Sequence, residues 1–314
     1  MRVLVTGGAG FIGSHIADAL LEAGHRVLVV DDLSSGRREN VPHRATFTQI
    51  DIRDAGRLEA ALNDFRPQAV SHQAAQVSVS ASTRDPIGDA EINIVGTLNL
   101  LEASIRHGIE RLVFASSGGA IYGEVPEGQR AGVQWPLHPL SPYGCAKLAA
   151  ERYLAYYRHE HALLSTILRY ANVYGPRQDP YGEAGVVAIF SANLLHGEPI
   201  RVNARAQTGD PGCVRDYVFV ADVVKANLAA LQGGLDGRIV NVGTGRATTT
   251  LELARMVERA AGVTANTGFG PRRVGDLERS VLDPGEDNPV DPPTPLEKGI
   301  EETVAWFRQF LHRA

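Results

Sequence analysis

Val3-Leu4-Val5-Thr6-Gly7-Gly8-Ala9-Gly10-Phe11-Ile12-Gly13 opens the chain with an apolar run, a glycine-rich turn and the start of a helical pattern. In Gly7-x-x-Gly10-x-x-Gly13 the glycines permit a tight turn, close approach of a pyrophosphate and close packing of the helix on the strand. The helix N-terminus then faces the phosphates. A second strand is expected over 26–31, and it ends on Asp31, 18 residues after Gly13. A carboxylate there can bind the adenosine ribose diol and would repel a 2′-phosphate, so NAD is expected over NADP. Arg37 and Arg38 lie close behind and keep NADP as the alternative.

Working outward, short β-branched runs alternate with helical patterns through the first half, which signals a parallel, doubly wound sheet. Strands are expected over 3–6, 26–31, 46–50, 69–72, 111–115 and 165–170. Helices are expected over 11–23, 57–65, 89–107 and from Tyr143 to about His161. After Tyr170 the rhythm breaks. Loops rich in Gly, Pro, Asp and Asn fill 174–185, 203–214 and 266–295 around helices at 186–196 and 220–231 and a strand at 239–242. A closing helix is expected over 296–313. The expected fold class is α/β, a Rossmann-type doubly wound parallel sheet with a smaller, interleaved C-terminal substrate lobe. The cofactor domain would take 1–172 plus about 216–245, and the substrate lobe about 173–215 and 246–314.

The 314 residues carry a net charge of -5 with no Lys/Arg-rich stretch, so a nucleic-acid partner is not expected. Met1-Arg2 runs straight into apolar residues without the n-region of a signal peptide, and no apolar run is long enough to span a bilayer. Cys145 and Cys213 have neither zinc nor redox spacing. His159 and His161 fall on different helix faces, so no metal site is expected. A cytoplasmic location follows as the expectation, with no membrane partner.

Tyr143 and Lys147 stand one helical turn apart behind Ser141-Pro142. Ser141 is a good N-cap and Pro142 a good first helical residue. A phenol is a poor base at neutral pH unless its phenolate is stabilised. A Lys at i+4 on the same face and the positive end of the helix dipole would both lower its pKa. A dinucleotide loop plus an activated Tyr is machinery for oxidising or reducing a carbinol.

On these residues the chain resembles the extended short-chain dehydrogenase/reductase family, and within it the UDP-galactose 4-epimerase branch. Further matching motifs are Asp31-Asp32-Leu33-Ser34-Ser35-Gly36, Asp51-Ile52-Arg53, His72-Gln73-Ala74-Ala75, Asn93 and Arg169-Tyr170-Ala171-Asn172-Val173-Tyr174-Gly175-Pro176. Arg215-Asp216-Tyr217, Asn241-Val242-Gly243-Thr244-Gly245 and Arg273-x-Gly275-Asp276 complete the set. The resemblance implies that Tyr143 takes the proton of the sugar 4-hydroxyl while NAD takes the C4 hydride, and that Lys147 binds the nicotinamide ribose. The 4-keto sugar then turns over and receives the hydride on its other face. Gly7, Gly10, Phe11, Ile12, Gly13, Asp31, Asp32, Ser34, Ser35 and Gly36 would hold the adenosine and pyrophosphate. Asp51 and Ile52 would flank the adenine. Gln73, Ala74, Ala75, Asn93 and Ser116 would line the rest of the groove. Asn172, Arg215, Arg273 and Asp276 would hold UDP, two guanidiniums suiting a diphosphate. A homodimer through the helices at 89–107 and 143–161 is the family expectation.

One departure matters. The family places a Ser or Thr where this chain has Gly118, within Ala115-Ser116-Ser117-Gly118-Gly119. Ser117 or a water would then replace the missing hydroxyl, or Tyr143 would contact the sugar directly. Direct contact is favoured here, because neighbouring side chains at a strand end point in opposite directions. Gly118-Gly119 also lacks the Asp-Glu pair of the related 4,6-dehydratases. Reductase, decarboxylase and other epimerase branches remain alternatives, as does a non-catalytic NAD(P)-sensing module. Ser280, seven residues after Arg273, is small, which by the family pattern admits UDP-N-acetylhexosamines as well.

Overall fold

The computed structural model describes residues 1–181, 185–273, 275–286 and 288–311. In chain order the first elements are β1 (Arg2–Thr6), α1 (Phe11–Glu22), β2 (Arg26–Asp31), β3 (Thr46–Gln49), α2 (Ala55–Phe65) and β4 (Ala69–His72). Next come α3 (Val79–Arg84), α4 (Pro86–Ala90), a π-helical turn at Glu91–Val95 and α5 (Gly96–Arg106). Then follow β5 (Arg111–Ser117), α6 (Gly118–Ile121), α7 (Pro142–His161), β6 (Leu164–Tyr170) and β7 (Asn172–Tyr174). The later part holds α8 (Val186–Leu195), β8 (Ile200–Asn203), β9 (Val214–Arg215), β10 (Tyr217–Phe219), α9 (Val220–Leu231) and β11 (Ile239–Val242). The chain closes with β12 (Thr248–Thr249), α10 (Thr250–Ala261), β13 (Thr267–Gly270), β14 (Arg279–Ser280) and α11 (Leu296–Leu311).

The chain divides into two compact units. The first comprises Met1–Ile121, Pro139–Arg169 and Val224–Val240; the second Tyr122–His138, Tyr170–Val223 and Asn241–Ala314. Residues 122–138, 170–172, 216–223 and 241–245 thus group with the second unit, where the sequence rhythm alone assigns them to the cofactor domain.

The first unit is built on the seven-stranded sheet β11-β6-β5-β4-β1-β2-β3, whose order is Rossmann-like. β1 pairs in parallel with β2 and with β4, so the strand order reverses beside β1, where such sheets bind ligands at the strands' carboxyl ends. The strands run near-continuously apolar because helices cover both faces. On one face Leu58 and Leu62 of α2, Leu100 and Leu101 of α5 and Leu154 of α7 pack on Leu4, Leu28, Val70 and Phe114. The helix expected over 89–107 is instead α4 and α5 joined through the π turn, a distortion common near functional positions.

The second unit contains three small sheets, β10-β7, β12-β9-β14 and β13-β8. All of these strands have two to four residues, too short to leave a periodic signal, and β13 and β14 lie inside the stretch read as loop. α10 starts in a full capping box between Thr249 and Glu252 and ends on left-handed Gly262. α11 buries the stripe Leu296, Ile300, Val304 and Phe307. Arg313, at the end of the closing helix read from sequence, lies outside the described residues. Among the described residues no helix is long and apolar enough to cross a membrane.

Candidate functional site

The glycine loop is over-determined. Gly7 adopts φ 66°, and a Cβ there would lie 2.6 Å from Ala74 N, so the loops after β1 and β4 touch. A Cβ on Gly13 would overlap the Gly7 carbonyl. Gly10 is the N-cap of α1, and neither a capping side chain nor a first-turn acid occupies that helix end. The first-turn N–H groups are therefore left to a ligand anion.

Asp31 is buried. Its Oδ2 accepts from Ala9 N at 3.0 Å and its Oδ1 from Leu33 N at 2.8 Å, which ties the glycine loop to the end of β2. Burial pushes its carboxyl above the usual range, and the backbone donors oppose that. A carboxylate has about four acceptor positions, so room remains for ribose hydroxyls. The uncapped helix end, the crowded glycines and Asp31 fit an NAD-type dinucleotide.

The other residues read as cofactor-binding divide by what their side chains already do. Asp32 Oδ1 accepts from Ser34 N at 2.9 Å and Ser34 Oγ at 2.6 Å, an Asx-type turn that shapes the loop. Ser35 is exposed, and a Cβ on Gly36 would crowd Asp31 Oδ1 at 2.7 Å. Asp51 is clasped by Arg53 at 2.6 Å, which holds its carboxyl below the usual range. Ile52 is buried against Gly96. Gln73 Nε2 donates to Ser71 Oγ and Asn227 Oδ1, and Ser116 Oγ donates to Glu151 Oε1 at 2.6 Å. The Gln73 amide nitrogen and the Ser116 hydroxyl proton are thus engaged within the protein.

At the end of β4 a run of hydrogen bonds fixes a tautomer. Thr97 Oγ1 donates to Asn93 O at 2.7 Å, so it must accept from His72 Nε2 at 3.0 Å. His72 Nδ1 therefore accepts from Thr6 Oγ1 at 2.7 Å, and Thr6 Oγ1 accepts from Ala74 N at 3.3 Å. Burial, aided by the Lys147 charge, pushes the His72 pKa down to about 3. The neutral ring is a strut that aligns Ala74, Ala75 and Asn93. Asn93 Nδ2 donates to Gln76 O and to Asp89 Oδ1, both at 2.9 Å.

α7 carries the reactive pair as its caps require. Ser141 Oγ accepts from Gly144 N at 3.1 Å and Pro142 begins the helix, which places Tyr143 in the first turn. Lys147 is buried, donates to Ala115 O at 2.9 Å, and sits 5.9 Å from the Tyr143 ring centroid. Burial brings its pKa down to about 8, while Asp89 and Glu151 hold the charge on.

One expectation is corrected here. Tyr143 is not lowered in pKa; burial, with Asp89 adding to it, pushes it up to about 12, and the Ser117 hydroxyl opposes the rise. Desolvation of a phenolate outweighs a single helix end and a cation at this separation. β5 ends at Ser117, where α6 begins, and the Ser117 hydroxyl is the group on that turn that opposes the rise of the Tyr143 pKa.

In the second unit, Asp216 is fully buried and accepts from Thr244 N, Thr244 Oγ1 and Gly245 N, which explains why the motifs at 215–217 and 241–245 occur together. Arg215 donates to Val214 O at 3.0 Å and Leu277 O at 2.6 Å. Asn172 Nδ2 donates to Asp216 O at 3.1 Å. Arg273 is exposed, and its carbonyl accepts from Asp276 N at 3.4 Å. Ser280 is buried on β14 in register with Arg215.

Three buried groups were given no role by the sequence reading. These are His72, Asp89 and the ion pair in which Arg169 Nη2 meets Glu151 Oε2 at 2.6 Å, both side chains under 5 % exposed. Glu151 lies four residues past Lys147 on the same helix, a spacing that could have flagged it.

Residues 3–243 match the NAD dependent epimerase/dehydratase family. A UDP-glucose 4-epimerase of Mycolicibacterium smegmatis is 46% identical over 98% of this chain and 99% of its own. The crystal structure of a Thermus thermophilus UDP-glucose 4-epimerase in complex with NAD superposes with a TM-score of 0.94 at 53% identity, covering 98% of this chain and 99% of that one. That of Thermotoga maritima UDP-glucose 4-epimerase with UDP-glucose gives 0.93 at 46%, covering 99% and 100%.

Proposed function

The chain belongs to the NAD-dependent epimerase/dehydratase family, and we propose that it inverts C4 of a UDP-hexose, interconverting UDP-galactose and UDP-glucose. The observation that carries this reading is the buried Tyr143, one turn from the buried Lys147 and with Lys147 Nζ 5.9 Å from its ring centroid, in the unit that holds the glycine loop. When bound, NAD supplies the hydride acceptor and donor.

The chain's own residues do the rest. Tyr143 Oη takes the proton from the sugar O4 and returns it, and Ser117 stabilises the phenolate formed. Lys147, held by Ala115 O, is the adjacent positive charge and the partner of the nicotinamide ribose. Gly7, Gly10 and Gly13 admit the pyrophosphate to the N-terminus of α1, and Asp31 takes the adenosine ribose. Phe11, Ile12, Asp32, Ser34, Ser35, Gly36, Asp51 and Ile52 complete the adenosine end, and Gln73, Ala74, Ala75, Asn93 and Ser116 the nicotinamide end. Asn172, Arg215, Arg273 and Asp276 hold UDP; Arg273 is free to engage a phosphate from solvent. Small Ser280 extends the substrates to UDP-N-acetylhexosamines.

The protein works in the cytoplasm as a homodimer. Val95, at the end of the π turn, and Tyr153 and Tyr156 of α7 are 47%, 41% and 53% exposed, apolar surface suited to helix-on-helix association.

The test is to incubate the purified protein with UDP-galactose, without added NAD, and follow the sugar by NMR. Approach to a fixed mixture with UDP-glucose supports the reading. No conversion, with NAD added or without, refutes it.

A further inference from the structure

Glu151 stands on α7 one turn past Lys147 and takes no part in the proton and hydride steps. Both residues are buried, and both reach the end of β5. Lys147 Nζ donates to Ala115 O at 2.9 Å, and Ser116 Oγ donates to Glu151 Oε1 at 2.6 Å. Among the described residues, Ala115 O is the one hydrogen-bond acceptor of the Lys147 ammonium. The Ala115 carbonyl belongs to the peptide plane that joins Ala115 to Ser116. The two bonds therefore tie that plane to one helix at points a turn apart.

The plane needs holding. β4 pairs with β5 as far as His72 opposite Phe114, so Ala115 to Ser117 run past the end of that neighbour. Alternation along β5 turns Phe114 and Ser116 to one face. On that face Lys147 Nζ lies 4.9 Å from the Phe114 ring centroid, so the strand meets α7 there at three consecutive residues. Glu151 is itself fixed from behind. Arg169 of β6 donates to it twice, Nε to Oε1 at 3.0 Å and Nη2 to Oε2 at 2.6 Å. This fork grips both carboxylate oxygens and sets the orientation of the acceptor that Ser116 uses. All of these residues lie in the first unit. A buried ion pair adds little stability over a well-packed apolar pair, so stability alone does not call for one here. The bond to Ser116 is what an apolar pair could not make.

We propose that Glu151 and Arg169 are positioning residues for the reaction: through Ser116 they lock the Ala115–Ser116 peptide, and with it the acceptor that places the Lys147 ammonium beside Tyr143. This rests on the epimerase reading above. α7 fixes the backbone of Tyr143 and Lys147, but the flexible four-carbon stem of a lysine leaves its charge free to swing. Ala115 O ends that freedom, provided the peptide that carries it is held. Neither Glu151 nor Arg169 touches substrate. The Glu151 charge also favours the ammonium form of Lys147, yet Arg169 balances that charge, so the tie carries the effect.

Ser116→Ala cuts the tie and leaves the ion pair whole. Its kcat is expected to fall about tenfold or more, the cost of a small misplacement, with KM and NAD content within about twofold of the wild type. Ser116→Thr returns the hydroxyl and should recover most of kcat. Glu151→Gln with Arg169→Met removes one charge of each sign and keeps an amide oxygen for Ser116, so kcat should stay within about threefold of the wild type. Glu151→Leu with Arg169→Met removes that acceptor too and should fall as far as Ser116→Ala. A readout without turnover comes from lysine, which occurs only at 147, 225 and 298. In protein isotopically labelled at lysine Cε, with Lys147→Met to assign the signal, NMR relaxation gives the order parameter of the Lys147 ε-methylene. It should drop in Ser116→Ala and in the Glu151→Leu pair, and hold in the Glu151→Gln pair. Wild-type kcat in Ser116→Ala, or an unmoved order parameter, would overturn the proposal. Equal losses in the Gln and Leu pairs would also overturn it, since they would mark the charges and not the tie. Should Ser116→Ala not fold, Ser116→Cys keeps the size and replaces the hydroxyl with a weak donor. A wild-type protein that turns over no UDP-galactose defeats the epimerase reading instead, and the order parameter still decides whether the tie holds Lys147.

Discussion

Replacing Ser117 with Ala removes the hydroxyl proposed to stand in for the one absent at Gly118. Burial and Asp89 push the Tyr143 pKa up, and the Ser117 hydrogen bond is the influence that opposes them. A hydrogen bond to a charged group contributes about 1.5–3 kcal/mol, which corresponds to roughly one to two pKa units. Losing it raises the Tyr143 pKa further, so the acid limb of kcat moves to higher pH. Below that limb the rate falls by about 10- to 150-fold. The assay is the initial rate of UDP-glucose formation from UDP-galactose across pH, with bound NAD quantified in parallel. Ser117→Thr keeps a hydroxyl and should stay near the wild type. A double variant, Ser117→Ala with Gly118→Ser, returns the hydroxyl to the position the family uses and should recover part of the loss. If Ser117→Ala turns over within twofold of the wild type with an unmoved acid limb, Ser117 takes no part and Tyr143 meets the sugar unaided.

Three further outcomes are expected. Gly13→Ala must push the Gly7 carbonyl aside, so NAD co-purifying with the protein should fall at least about tenfold, measured after acid release; undiminished content would refute the loop geometry. Arg169→Met leaves Glu151 charged and buried without its guanidinium and should destabilise the protein by about 3–5 kcal/mol in urea unfolding. His72 has a folded pKa of about 3 against an ordinary 6.5, so the unfolded chain binds the extra proton. Its contribution to stability is complete above pH 6.5 and is lost as pH falls toward 3, about 5 kcal/mol in all, and His72→Asn should flatten that part of the urea midpoint–pH curve.

What the sequence made legible was what local chemistry dictates. Gly7, Gly10, Gly13 and Asp31 announced the first βαβ unit, and at Gly7 and Gly13 the glycine answers a close approach that a Cβ would block. Ser141-Pro142 marked the start of α7 to the residue, since cap and first-turn preferences are local. The small strands of the second unit were not legible, because pairs such as Val214–Arg215 and Arg279–Ser280 are set by partners more than 60 residues away rather than by periodicity. Nor did the pattern disclose that residues 122–138 group with the second unit. At the site, Tyr143 and Lys147 stood out by spacing, but the sign of the Tyr143 shift did not. It depends on burial, which three-dimensional packing decides.

The most direct test uses UDP-galactose deuterated at C4, converted in ordinary water with no NAD added. The account predicts UDP-glucose with the deuterium retained at C4, since the hydrogen leaves and returns on a cofactor the protein keeps. Deuterium lost to solvent, or conversion that waits on added NAD, would contradict it.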